Sequence, residues 1–213
     1  MIKSLTSLTC AACFFAATAA THAATMPVIQ LDFNDIDGNP SLVNRGSASA
    51  TASFTGSAAF ATGAGAPPNG PLSDAGTFNG SSGGAAFSQN FSQFHNLNEL
   101  TVTAWVNLDA GSFSSTRRIV DAADIANSPS TIRDGFELMQ SSNGTVQFRR
   151  NGGFVSSTSA VSAGTWTFVA AVFSSGQNVD FYISTTQGDV GTAESTSFGD
   201  IEALAATTDN LVI

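Results

Sequence analysis

Residues 99–183 decide the fold class. They open with Glu-Leu-Thr-Val-Thr-Ala-Trp-Val-Asn-Leu at 99–108, turn at Asn143-Gly144 and Asn151-Gly152-Gly153, and close with the apolar segments 166–173 and 179–183. Apolar and polar residues alternate, and Gly or Asn marks each reversal. Antiparallel strands with one buried face are written this way. In 101–108 the set Val102, Ala104, Val106, Leu108 points to the core, which turns Trp105 to the second face, under a loop or at a ligand groove. In 166–173 Trp166, Phe168, Ala170 and Val172 share one face while Val169 and Phe173 are also apolar, the pattern of a central strand covered on both sides. No segment reads as a helix longer than about two turns. The expected fold is all-β, a two-sheet antiparallel sandwich.

A chain of 213 residues accommodates one such domain. Seventeen Phe supply bulk for its core, and only 11% of residues are charged. Sixteen acids against seven basic residues give a net charge of −9. Such a surface repels phosphate backbones and anionic lipid, which argues against nucleic acid as a partner.

Residues 1–23 read as a secretory signal peptide. Lys3 gives the positive start, 5–20 the apolar run, and Thr21-His22-Ala23 puts small residues at −3 and −1 for cleavage before Ala24. Thr and Ser interrupt that run and no stop-transfer flank follows, so membrane insertion is not expected. Cys10 and Cys13 both lie in the leader, leaving the domain at 24–213 without a disulfide. The expected location is secreted, periplasmic or cell surface.

The order Leu31-Asp32-Phe33, Gly76-Thr77-Phe78-Asn79-Gly80, Leu100-Thr101-Val102-Thr103-Ala104-Trp105-Val106, Gly164-Thr165-Trp166-Thr167-Phe168-Val169-Ala170 and Val179-Asp180-Phe181-Tyr182-Ile183 carries a family likeness. It resembles the concanavalin A-like lectin/glucanase superfamily, in the laminin G-like jelly-roll branch of bacterial exported proteins. The likeness covers roughly residues 28–213. It implies a jelly-roll β-sandwich, and it implies fold more strongly than function. Members of this branch usually finish with a strand of the type G-x-I-D-D-V-R-I-Y. The chain stops short of it, so the domain is expected to lack its closing C-terminal strand.

Hydrolytic members carry Glu-x-Asp-x-x-Glu on one strand, which sets carboxylates side by side along a sugar. Beyond the leader there are only four glutamates, Glu99, Glu137, Glu194 and Glu202, and none sits in that spacing. His95 is the single histidine beyond the leader, and a lone histidine in a polar loop beside Asn96 reads as a solvated surface residue. No catalytic residue is therefore assigned. Asp32, Asn34, Asp35 and Asp37 form an oxygen-rich loop suited to a structural calcium ion, although the spacing fails as an EF-hand. Trp105, Phe113, Phe154 and Tyr182 are the aromatics placed off the core face or in loops, and are the candidate ligand contacts. The expected function is a secreted, non-catalytic binding or adhesion module that recognises a polysaccharide or cell-surface glycan. A glycan-active enzyme on the same fold and a structural envelope or matrix protein are the alternatives.

Overall fold

The computed structural model describes residues 27, 29–33, 42–62, 74–78, 84–87, 99–123, 135–150, 153–174 and 177–198. The leader at 1–23, the loop residues Asn34, Asp35 and Asp37, and the chain end at 199–213 lie outside them.

Fourteen strands are described: β1 (Leu31–Asp32), β2 (Val43–Asn44), β3 (Ala52–Phe54), β4 (Ala59–Thr62), β5 (Asp74–Thr77), β6 (Ala85–Phe87), β7 (Leu100–Val106), β8 (Arg117–Ala123), β9 (Gly135–Gln140), β10 (Thr145–Arg150), β11 (Gly153–Ala160), β12 (Thr167–Phe173), β13 (Asn178–Ser184) and β14 (Glu194–Ser197). Two four-stranded sheets dominate, in the orders β11-β10-β9-β8 and β14-β13-β12-β7. Every pairing is antiparallel. The only helix among the described residues is a 3-10 turn at Ala110–Ser114.

The two sheets meet through their inner faces. From the first come Phe136, Leu138, Val146 and Phe148; from the second come Val102, Val169, Ala171, Phe173, Val179 and Phe181. Phe148 on β10 stacks across the sandwich on Phe173 of β12, centroids 6.2 Å apart and planes 20° apart. Phe136 extends the stack from β9 at 6.3 Å. Removing one such buried ring costs roughly 3–5 kcal/mol. Ala52, Ala85 and Phe87 of the β3–β6 pair join this core. A second aromatic group gathers Phe33, Phe54, Phe60 and Phe78. Gly76 lies under it so closely that a Cβ would sit 2.8 Å from the Phe33 ring.

Val102, Ala104, Val106 and Leu108 do face the core, and β12 is central, between β13 and β7. On β12 the fully buried set is Val169, Ala171 and Phe173, while Phe168, Ala170 and Val172 point outward. Trp166 stands just before the strand. The segment 52–60 divides into β3 and β4 around a turn in which Gly56 takes φ +59°. Glycine accepts that conformation without a Cβ clash. β14 is an additional edge strand; its alternation of Glu, Ser, Thr and Ser carries no apolar signal.

Candidate functional site

Cross-strand register builds the outer face of the β14-β13-β12-β7 sheet. Trp105 lies opposite Phe168, Thr103 opposite Ala170, and Ala170 opposite Tyr182. The next row runs Thr101, Val172, Asp180, Ser195. Side chains on paired residues project to the same side, so these groups form one surface. Trp105 packs on Phe168 with centroids 5.7 Å apart at 57°. Ala170, 4% exposed, pairs with Tyr182 in the row next to Trp105 and Phe168, and all three rings are half-buried. The Ser195 hydroxyl donates to the Asp180 carboxylate at one side. Aromatic edges beside hydroxyl and carboxylate groups suit the apolar CH face and polar rim of a sugar.

The outer face of the other sheet is built on charge. Arg118 Nε donates to Glu137 Oε1 at 2.6 Å and lies 2.9 Å from Asp121 Oδ2. Arg149 Nη1 donates to Glu137 Oε2 at 3.0 Å. Burial works against the charge on Arg118, but the hydrogen bond to Glu137 and the fields of Asp121 and Glu137 outweigh it, raising its pKa. Asp121 and Glu137 are cross-strand partners. They are not placed as an acid/base pair, since both oxygens of Glu137 are occupied by guanidinium groups and its side chain is wholly buried. Phe154 stands opposite Arg149 at 55% exposure, and Gln147 donates to Ser156 at 3.2 Å in the adjoining row.

The four aromatics marked in the sequence thus fall in three places. Trp105 and Tyr182 share one face, and Phe154 lies on the opposite sheet. Phe113 sits in the 3-10 turn capped by Asp109, whose carboxylate accepts from Ser112 N at 2.9 Å. It packs half-buried against the core, beside Gly144. Phe168 completes the Trp105 surface and was not singled out in the sequence. Its parity with Trp166 and Ala170 was visible there, but not its pairing with Trp105. An open polar cleft of about 490 Å³ lies along 44–51, lined by small residues. Its Asn44 carboxamide is used internally, accepting from Gln30 N and Gly46 N and donating to Ala48 O.

Of the calcium candidates, only the backbone of Asp32 is described, paired with Val43. Among the described residues no group of three or more His, Cys, Asp or Glu could hold a metal. No described helix is long and apolar enough to cross a membrane.

Two antiparallel sheets closed over a phenylalanine core, with both outer faces formed, define a lectin-type jelly-roll sandwich. The chain belongs to the Laminin_G_3 family of the concanavalin A-like lectin/glucanases superfamily, which it matches over residues 79–211. No curated protein matches it in sequence. Similar solved structures include the receptor binding domain of botulinum neurotoxin mosaic serotype C/D, at 13% identity and TM-score 0.58, covering 88% of this chain and 42% of that one. The binding domain of Paraclostridial Mosquitocidal Protein 1 is similar at 11% identity and TM-score 0.60, covering 87% of this chain and 44% of that one. The botulinum neurotoxin serotype D binding domain is similar at 14% identity and TM-score 0.54, covering 88% and 43%. The chain therefore spans less than half the length of these proteins, and at such identities the likeness is one of fold.

Proposed function

We propose that this protein is a secreted, non-catalytic binding module that recognises carbohydrate on the outer face of the β14-β13-β12-β7 sheet. The observation that carries the reading is the placement of Trp105, Phe168 and Tyr182 around Ala170, with Asp180 and Ser195 in the next row. Lectin-type kinship supports it, as does the occurrence of this fold in proteins described as a receptor binding domain and as a binding domain. Export rests on the leader at 1–23. A calcium ion held by Asp32, Asn34, Asp35 and Asp37 belongs to the same reading.

Depletion of the protein from solution by insoluble polysaccharides tests it, with reducing-sugar release measured in parallel. Retention without sugar release, reduced in Trp105→Ala and Tyr182→Ala, is the expected result. Sugar release would establish an enzyme instead. Indifference to every polysaccharide, together with self-association, would establish a structural role.

A further inference from the structure

We infer that the outer face of the β11-β10-β9-β8 sheet is a second sugar-binding face, so that one protomer bridges two strands of neutral polysaccharide. The bridging role rests on the function proposed for the Trp105 face, while the second site stands on its own residues.

The starting point is Glu137. It lies wholly buried on the outward side of its sheet, its oxygens taken by Arg118 and Arg149 at 2.6 and 3.0 Å. Buried ion pairs of this kind rarely improve on an apolar packing, so stability alone is a poor reason for one. What the arrangement does accomplish is to fix two guanidinium groups beside the buried outward side of β9, where Glu137 and Met139 lie. Fixed donors bind hydroxyl groups with less ordering cost than free side chains do. Beside them stands an exposed ring: Phe154 pairs with Arg149 across the β10–β11 register. Gln147 and Ser156, hydrogen-bonded to one another, occupy the next row. An aromatic plate with directed donors along one edge matches the CH face and hydroxyl rim of a hexose.

Charge selects the class of polymer. On this face Arg118 and Arg149 balance Asp121 and Glu137, and the whole chain carries −9. Anionic polysaccharides would be repelled at long range, whereas neutral ones meet a surface of hydrogen bonds without net charge. The Trp105 surface belongs to the other sheet, and the stacked core lies between the two. Two sites facing away from each other cannot be filled by one stretch of polymer, so they cross-link.

The test uses the full chain with a soluble high-molecular-weight neutral β-glucan for light scattering and its insoluble form for retention. Wild type, Phe154→Ala, Trp105→Ala and the double variant are compared. Phe154 is exposed, so its truncation leaves the core intact, and circular dichroism checks each fold. The wild type is expected to raise scattering and to be retained. Each single variant should lose the scattering, by about ten-fold or more, while still being retained, more weakly than wild type. The double variant should lose both. Phe154→Ala that scatters like wild type overturns the second face. Trp105→Ala that abolishes retention also overturns it, since Phe154 then binds nothing unaided, and leaves the Trp105 reading standing. Trp105→Ala that scatters like wild type fails the Trp105 reading and, with it, the bridging role. A wild type that is neither retained nor scatters overturns both.

Discussion

The Glu194 carboxylate on β14 accepts hydrogen bonds from the Thr158 backbone N–H at 2.6 Å and hydroxyl at 2.8 Å on β11, joining the edges of the two sheets. Ser159 N adds a third donor at 3.0 Å. Partial burial opposes the charge, but these hydrogen bonds prevail and lower its pKa from 4.5 to about 2. A carboxylate whose pKa falls on folding stabilises the native state most above its unfolded value. Its contribution is therefore complete above about pH 4.5 and lost as pH falls towards 2. Glu194→Gln should cost about 1 kcal/mol at pH 7, with the gap from wild type closing through pH 4. Urea midpoints at pH 7 and pH 3 measure this; a gap that is the same at both contradicts the clamp.

Glu137 gives a larger effect. Glu137→Gln leaves Arg118 and Arg149 without their shared counter-charge and should cost about 3 kcal/mol. Replacing the whole network together, as Arg118→Met, Asp121→Asn, Glu137→Leu and Arg149→Met, should recover most of that loss. Chemical denaturation of both variants is the check, and a quadruple variant less stable than Glu137→Gln would contradict the argument.

Arg150 behaves differently because it points inward. It is 2% exposed, its guanidinium lies 4.2 Å over the Phe173 ring, and its Nε has no hydrogen-bond partner among the described residues. Burial lowers its pKa. An interior cation resting on a ring contributes little, so Arg150→Met should leave stability unchanged or raise it by about 1 kcal/mol. A thermal melt decides the matter, and a loss above about 2 kcal/mol would contradict it.

Calcium at Asp32, Asn34, Asp35 and Asp37 would stabilise the native state by mass action. The melting temperature should be higher in millimolar calcium than in chelator, and Asp35→Asn should remove the difference. Identical midpoints in the two buffers would exclude the site.

The strands from β7 to β13 were legible because apolar residues recur along them and a turn residue stands at their ends. Val102 and Val106 faced inward as expected, and Asn143-Gly144 closes a hairpin in which Gly144 takes φ +87°. The sandwich's edges were less legible. β14 has no hydrophobic face to reveal it; its attachment depends on Glu194 reaching Thr158, 36 residues away in sequence. The outward aromatic surface was half visible. Trp105 and Tyr182 could be assigned to outer faces from alternation alone, but their placement on the same face in adjacent rows depends on a register no local pattern encodes. Likewise Arg118, Glu137 and Arg149 come from three strands, and nothing in their spacing shows that two cations share one acid. Gly191 is similar: its φ of +80° and the Ile183 carbonyl oxygen 2.5 Å from where a Cβ would stand belong to tertiary structure.

Trp105 itself offers the most direct measurement. The chain has two tryptophans, so Trp166→Phe leaves Trp105 as the sole indole emitter. Titrating that variant with neutral oligosaccharides should shift its emission to the blue and saturate, as a sugar covers the indole and displaces water. Emission unchanged across every oligosaccharide, from protein that insoluble polysaccharide also fails to retain, would contradict carbohydrate recognition on this face.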